Sequence, residues 1–294
     1  MWKSGAALCW VLMMTMLDLA LAGGTLGDPL SEFEFPFGIV LSLGSPFGVR
    51  PVLGNDSRLR AALAKAVDGN HVLKILVLGG SEASGEQCYE APGDYFATHN
   101  DTYCWWHTPK TGHSFCSWAA RLARYIHAEI LPAGNFIVIN GARGGAGSQF
   151  FVDVGANLLR KETSCVSPNT SVRRSYGKPV AEDADLVLLD FTANDAQQGQ
   201  CDEGTEESCF PCRWLRALCG MFDEDSPTIA IVDVALVALY NGHHTARESV
   251  EAFRTAHRSL ARELDVAVVD TVVNNGGTFF DQAKQRETNA FVAE

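Results

Sequence analysis

The sequence predicts an α/β protein, in which helices cover both faces of a central parallel sheet. Short apolar runs alternate along the chain with segments whose apolar residues recur at helical spacing. Parallel strands that are buried on both faces read as continuous apolar runs, and a crossover helix must connect them. At 294 residues, 47% of them hydrophobic, the chain can also bury a full core.

The individual elements follow from these patterns. Leu73 to Leu78 is a short apolar run that suits a buried strand, whereas Phe115, Trp118 and Leu122 recur at the spacing of an amphipathic helix. The predicted helices are 58–67, 114–130, 148–159 and 247–264, and the predicted strands are 73–78, 136–139, 186–191, 228–236 and 266–269. Two insertions, 86–112 and 197–220, are expected to be loops stapled by disulfides over one end of the sheet.

The first residues resemble a secretory signal peptide. Lys3 precedes an apolar stretch from Gly5 to Ala22, which ends in the small residues that signal peptidase prefers. We expect cleavage after Ala22; the alternative is an uncleaved membrane anchor. The predicted organisation is a signal peptide at 1–22, an irregular segment at 23–70 and one folded domain at 71–294.

Cysteines and glycosylation sequons also point to a secreted or cell-surface protein. After removal of the signal, eight cysteines remain, an even number that suits four disulfides of undetermined pairing. Three acceptor sequons begin at Asn55, Asn100 and Asn169. The cysteines are Cys88, Cys104, Cys116, Cys165, Cys201, Cys209, Cys212 and Cys219.

The charge balance excludes one class of partner. The net charge is −12, and the sequence has no cluster of Lys and Arg of the kind that binds phosphates. We therefore expect no nucleic-acid partner, and no membrane partner once the signal is cleaved.

Polar and small residues at three strand ends suggest an acyl-transfer site. Ser81 follows the first strand, Gly145 the second and Asn194 the third. Acyl transfer needs a nucleophile and donors that stabilise the developing oxyanion. In a parallel sheet these strand ends share one edge, so Ser81 is the candidate nucleophile, while the Gly145 N–H and the Asn194 amide are candidate donors. For each residue there is a structural alternative: a turn at Ser81, a tight connection at Gly145 and a helix cap at Asn194.

The order of these motifs resembles the SGNH hydrolases, also called the GDSL esterase and lipase family. LGGS carries Ser81, NGARGG carries Gly145 and DFTAND, similar to the FAVND-type block of one branch, carries Asn194. The resemblance implies a three-layer α/β/α flavodoxin-like fold and ester hydrolysis through an acyl-enzyme, with no cofactor and no metal. Gly80 stands where the family usually has the Asp of its GDS signature.

Other glycine motifs fit less well. The Rossmann fingerprint lacks its middle glycine between Gly80 and Gly85, and no Lys follows for a P-loop. The α/β-hydrolase elbow, with Ala83 in place of its last glycine, is the second-best fold prediction.

The histidine base is not identified. The family supplies it in a C-terminal D-x-x-H block, whereas the segment after residue 269 contains no His and only Asp281 to Lys284 has similar spacing. We expect a truncated chain; loss of hydrolysis, or service by another histidine such as His243 or His244, are the alternatives. His107, His113 and His257 fit structural roles better.

Two further interpretations concern the cysteines and the function. Cys209-Phe-Pro-Cys212 has redox spacing, but its position in an insertion favours structural disulfides over a redox or zinc site. The favoured function is a secreted esterase that acts on a small ester or an acylated glycan. The alternatives are an inactive glycan-binding or cell-surface protein of the same fold, and an O-acyltransferase.

Overall fold

The computed structural model describes residues 57–85, 93–99, 101–106, 117–155, 162–166, 173–179, 183–192, 194–195, 209–222, 227–233 and 247–270. Its strands are β1 (Leu73–Gly79), β2 (Tyr103–Trp105), β3 (Phe136–Asn140), β4 (Glu162–Val166), β5 (Arg173–Pro179), β6 (Leu186–Asp190), β7 (Thr228–Asp233) and β8 (Ala267–Asp270). Its helices are α1 (Ser57–Val67), α2 (Ser81–Ser84), α3 (Gly93–Thr98), α4 (Trp118–Tyr125), α5 (Ser148–Phe150), α6 (Phe210–Cys219) and α7 (Arg247–Glu263), and π-helical turns at Ile126–Ile130 and Phe151–Gly155 extend α4 and α5.

The strands form one sheet in the order β5-β4-β2-β3-β1-β6-β7-β8. The six strands from β2 to β8 in that order run parallel, whereas β4 and β5 are antiparallel at one edge. The predicted central parallel sheet flanked by helices is therefore confirmed. The chain reverses its direction of sheet growth between β1 and β6, and in such sheets ligands bind at the carboxyl ends of the strands beside this switch point.

Alternation along the strands divides the core between the two faces of the sheet. Ile75 and Val77 join one buried cluster with α1 and α4, while Leu76 and Leu78 join another with α6 and α7. A fully buried side chain of this size contributes roughly 1.5–3 kcal/mol. Both helical layers therefore pack against β1 and fix its position at the centre of the sheet.

Some predicted boundaries differ from the structure. Helix α4 begins at Trp118, four residues after the predicted start, because the Ser117 side chain accepts a hydrogen bond from the Ala120 N–H at 3.1 Å and caps the helix. Of the helix predicted at 148–159, the described part has one α-helical turn, Ser148–Phe150, followed by a π-helical turn, Phe151–Gly155, and residues 156–159 lie outside the described residues. The last strand begins at Ala267, one residue later than predicted.

The prediction that both insertions are loops is wrong in its described parts. The first contains α3 and the short strand β2, which pairs with β3 through Tyr103 and Val138. The second contains α6, whose Leu215 and Leu218 are buried in the core. Each insertion therefore contributes to the fold itself.

Several predictions concern residues outside the described ranges. These are the signal peptide, the asparagines of the three sequons, His107, His113, His243, His244 and the segment after residue 270. Among the described residues, no helix is long and apolar enough to cross a bilayer.

Candidate active site

Ser81 stands immediately beyond the carboxyl end of β1 and begins α2, with a partly exposed side chain. The turn that presents it depends on two glycines. A β-carbon at Gly79 would lie 2.6 Å from the Asp190 carbonyl oxygen, so β1 and β6 approach too closely there for a side chain. The Gly80 N–H then donates to the same carbonyl at 3.0 Å. The β1–α2 connection is therefore hydrogen-bonded to β6 immediately before Ser81.

Gly145 lies in the loop that follows β3. The Arg143 N–H donates to the Gly79 carbonyl at 2.9 Å, and the Ala146 N–H closes a turn onto the Arg143 carbonyl at 3.0 Å. Within this turn Gly145 has a φ of 73°, in the left-handed region that glycine adopts most readily. Because no atom of the described residues lies within 4 Å of a β-carbon built there, the backbone conformation rather than lack of space favours glycine.

Asn194 lies in the turn that follows β6, and its side chain is buried. The Asp195 N–H donates to the Phe191 carbonyl at 2.8 Å and closes this turn. A β-carbon built on Gly80 would lie 1.8 Å from the Asn194 Oδ1 and 3.3 Å from the Ala146 carbonyl oxygen. Gly80, the residue before Ser81, therefore lies beside both the Asn194 side chain and Ala146, the residue after Gly145.

The structure thus brings the three predicted site residues together at the β1–β6 switch point. Because the Asn194 Oδ1 is turned toward Gly80, its amide nitrogen faces away from the glycine. A neutral amide nitrogen can donate hydrogen bonds. The arrangement is compatible with a serine flanked by two hydrogen-bond donors.

Two buried polar side chains that were not among the predicted site residues support this arrangement. The Asn140 Nδ2 donates to the Ala83 carbonyl and to the Tyr103 hydroxyl, both at 2.9 Å, while its Oδ1 accepts the Ala142 N–H at 3.0 Å. Asn140 therefore connects α2 with the loop that carries Gly145. Its only signal in the sequence is a polar residue at the end of the apolar run FIVIN.

The second is Asp190, the last residue of β6. The Trp118 Nε1–H donates to its Oδ2 at 2.8 Å, and both side chains are buried. Since the Asp190 carbonyl also accepts the Gly80 N–H, this residue links α4 to the turn before Ser81. The aspartate that ends LVLLD is the sequence signal that could have revealed it.

His257 is the one described histidine among those considered as a base, and its environment does not suit that role. It lies within α7, is 1% exposed, and its pKa is lowered to about 3 by burial. Such an imidazole is a weak base at neutral pH. The assignment of His257 to packing is therefore consistent with its position.

Among the described cysteines, Cys104 and Cys209 are each disulfide-bonded, whereas Cys212 and Cys219 carry buried thiols, so the expectation that all eight cysteines pair is wrong. The Sγ atoms of Cys209 and Cys212 are 2.9 Å apart, in hydrogen-bond contact, at the start of α6. Cys219 carries a buried thiol whose pKa is raised to about 12 by burial. The described residues contain no group of three or more side chains able to hold a metal ion.

A shallow cavity of about 470 Å³ opens beside Gly145. It is lined by residues between 143 and 153, and its polar side chains are those of Arg143, Gln149 and Asp153. The Arg143 guanidinium lies over the Phe150 ring at 4.7 Å. The cavity therefore offers a flat cation–aromatic pair together with amide and carboxylate groups.

Comparison with known proteins gives one family and several structural neighbours. Residues 101–292 match the model of the GDSL-like Lipase/Acylhydrolase family, a range that contains Gly145 and Asn194 and begins after Ser81. No curated relative matches the sequence.

The solved structures that resemble this chain share little sequence with it. A two-domain esterase (CEX) active on acetylated mannans is 18% identical, with a TM-score of 0.44; the alignment covers 74% of this chain and 42% of that protein. TesA is 15% identical, with a TM-score of 0.40 and coverage of 66% and 76%. A GDSL-like lipase, described as putative, from Parabacteroides merdae is 14% identical, with a TM-score of 0.38 and coverage of 68% and 77%.

Proposed function

The chain belongs to the GDSL-like lipase/acylhydrolase family, and on that premise we propose that it is a serine esterase whose nucleophile is Ser81. The observation that carries this proposal is the meeting of Gly80, Ala146 and the Asn194 side chain at the β1–β6 switch point. Each is either a proposed site residue or the immediate neighbour of one. Acyl transfer requires a nucleophile with oxyanion donors beside it, and this meeting supports that role for Ser81, Gly145 and Asn194.

The reaction has two steps. The Ser81 Oγ attacks the ester carbonyl carbon, the bond from that carbon to the alcohol oxygen breaks, and the alcohol leaves as the acyl-enzyme forms. Water then attacks the same carbon and releases the acid and the free serine. In both steps the oxyanion accepts hydrogen bonds from the Gly145 N–H and the Asn194 amide, each donor contributing on the order of a hundredfold or more in rate.

A general base must take the Ser81 proton and return it to the leaving alkoxide. We do not assign His257 to this role, because it is buried with a lowered pKa. His243 and His244 follow β7 in sequence and remain candidates outside the described residues. Separate alanine substitutions at these two positions, assayed as below, identify the base by loss of turnover.

The test is hydrolysis of p-nitrophenyl acetate by the wild-type chain and by Ser81→Ala. We expect Ser81→Ala to abolish turnover above background. Ser259→Ala, at an exposed position on α7, is the matched control and should retain wild-type turnover. Equal rates for wild type and Ser81→Ala would refute the assignment of the nucleophile.

For the substrate we propose short O-acyl groups on a glycan. The support is the cavity beside Gly145, whose polar side chains and Arg143–Phe150 pair suit hydroxyl-rich rings better than a long acyl chain. Arg143→Ala should raise KM for an acetylated polysaccharide severalfold while leaving kcat/KM for p-nitrophenyl acetate nearly unchanged. Faster hydrolysis of dodecanoyl than of acetyl p-nitrophenyl esters would contradict this choice.

We further propose that the protein acts in the secretory pathway. The support is the signal-like segment at 1–22 and the three sequons in the sequence. Expression of the whole chain in a eukaryotic host should yield secreted protein, whose mass decreases on treatment with an N-glycosidase. Retention in the cytosol without glycan would contradict this.

A further inference from the structure

Asp195 is a completely buried carboxylate that the proposed chemistry does not use. It directly follows Asn194 and is 0% exposed. Its Oδ1 accepts a hydrogen bond from the backbone N–H of Ser148 at 2.7 Å. Since these residues are 47 positions apart in the sequence, the bond joins two separate strand-end turns.

Each of the two turns carries one proposed oxyanion donor. The turn after β6 is closed by the Asp195 N–H on the Phe191 carbonyl at 2.8 Å, with Asn194 inside it. The turn after β3 contains Gly145 and leads within three residues to Ser148, the first residue of α5. A shift of the Asp195–Ser148 bond therefore changes the distance between the two donors.

The surroundings of Asp195 make this bond costly to lose. Among the described residues, neither the Asp195 Oδ2 nor the Ser148 Oγ has a hydrogen-bond partner within standard geometry. Burial raises the pKa of Asp195 to about 7, and the hydrogen bond from the Ser148 N–H counteracts part of that rise. A buried carboxylate with few partners is tolerated only when the bonds it does make are well formed.

We propose that Asp195 is a positioning residue that sets the spacing between the Asn194 and Gly145 donors through its bond to the Ser148 N–H. This rests on the proposed function, because it assumes that both donors act on the oxyanion. Asp195 touches no substrate; it acts through the two turns that it joins.

Two substitutions separate this role from a general effect on folding. Asp195→Ala removes the acceptor, whereas Asp195→Asn keeps the Oδ1 and places an amide next to the Ser148 Oγ, which can accept from it. We expect Asp195→Ala to lower kcat for p-nitrophenyl acetate by about a hundredfold with KM changed less than threefold, the loss typical of one oxyanion donor. Asp195→Asn should restore activity to within about tenfold of wild type.

Amide hydrogen exchange provides a readout that does not depend on turnover. In Asp195→Ala the Ser148 amide and its neighbours after Gly145 should exchange faster than in wild type, whereas in Asp195→Asn they should stay protected. Unchanged exchange in the folded Asp195→Ala protein, or equal kcat in both variants, would overturn the positioning role. A wild-type chain without Ser81-dependent turnover would instead refute the proposed function, and with it the catalytic meaning of this spacing.

Discussion

The Oδ1 of Asn194 occupies the space that a side chain at residue 80 would need, since a β-carbon on Gly80 would lie 1.8 Å from that oxygen. This contact gives a physical reason for the glycine at the position where related motifs carry Asp. Gly80 and Asn194 are therefore coupled, because the glycine leaves room for the Asn194 side chain next to the residue that precedes Ser81.

Gly80→Ala should displace the Asn194 amide and lower kcat by about a hundredfold, as expected for the loss of one oxyanion donor. Gly220→Ala is the matched control, since a β-carbon there meets its nearest atom at 3.5 Å, an ordinary contact. Kinetics with p-nitrophenyl acetate, with circular dichroism to confirm folding, check both. A Gly80→Ala enzyme with wild-type kcat would show that Asn194 does not need this position.

Gly145→Ala tests backbone conformation without steric clash. Gly145 has a φ of 73° and Gly134 a φ of 75°, and at either position an added β-carbon meets no atom of the described part of the chain within 4 Å. Each alanine should destabilise the protein by about 1–2 kcal/mol, the cost of holding a non-glycine residue in the left-handed region. Only Gly145→Ala should also lower kcat.

Equal kcat values for the Gly145→Ala and Gly134→Ala proteins would contradict the dependence of catalysis on the left-handed backbone conformation at Gly145. Urea unfolding and steady-state kinetics on the same preparations separate the effect on stability from the effect on activity.

The Trp118–Asp190 bond should stabilise the sheet beneath the site. Trp118→Phe leaves the Asp190 Oδ2 without its indole donor at 2.8 Å and should cost about 1–3 kcal/mol of unfolding free energy. In an Asp190→Ala background the same substitution should cost less, with a coupling of about 0.5–3 kcal/mol. Urea denaturation of the four proteins gives this coupling, and additive losses would show that the two side chains act independently.

His257 should make stability depend on pH. Its pKa is lowered to about 3 in the folded protein, from an ordinary value of 6.5, so the unfolded chain binds the proton more readily between these values. The contribution of the neutral His257 side chain to the free energy of unfolding is complete above about pH 6.5 and is lost as the pH falls toward 3. His257→Leu should remove this loss.

Asp195 contributes in the opposite direction. Its pKa is raised to about 7 from 3.8, so its contribution is complete below 3.8 and is lost as the pH rises toward 7. Thermal unfolding at several pH values should therefore show a steeper loss of stability toward acid pH in Asp195→Asn than in wild type.

An identical pH profile of stability for wild type and His257→Leu would contradict the burial of a neutral imidazole at residue 257.

The parallel sheet could be predicted because its strands carry continuous apolar runs such as ILVL in β1 and FIVI in β3. Strands β4 and β5 have the sequences ETSCV and RRSYGKP, which show no such run, and they pair at the edge of the sheet. β2 is three residues long and lies within a cysteine-rich insertion. For these strands, pairing with a neighbour rather than local sequence determines the structure.

A similar division applies to the site. Ser81, Gly145 and Asn194 could be selected because they follow strands, and a parallel sheet brings such residues to one edge. The roles of Asn140 and Asp195 depend on bonds to residues 57 and 47 positions away, which no local pattern specifies. In both cases the available sequence signal was a polar residue at, or shortly after, the end of an apolar run.

The assignment of Ser81 as the nucleophile is tested most directly by covalent labelling. A fluorophosphonate should react with the folded wild-type chain, add one phosphonyl group, and map by peptide mass spectrometry to the segment that contains Ser81. Ser81→Ala should remain unlabelled, and Ser259→Ala should label as wild type does. Absence of labelling in an intact, folded wild-type chain, or labelling that persists in Ser81→Ala, would contradict the account.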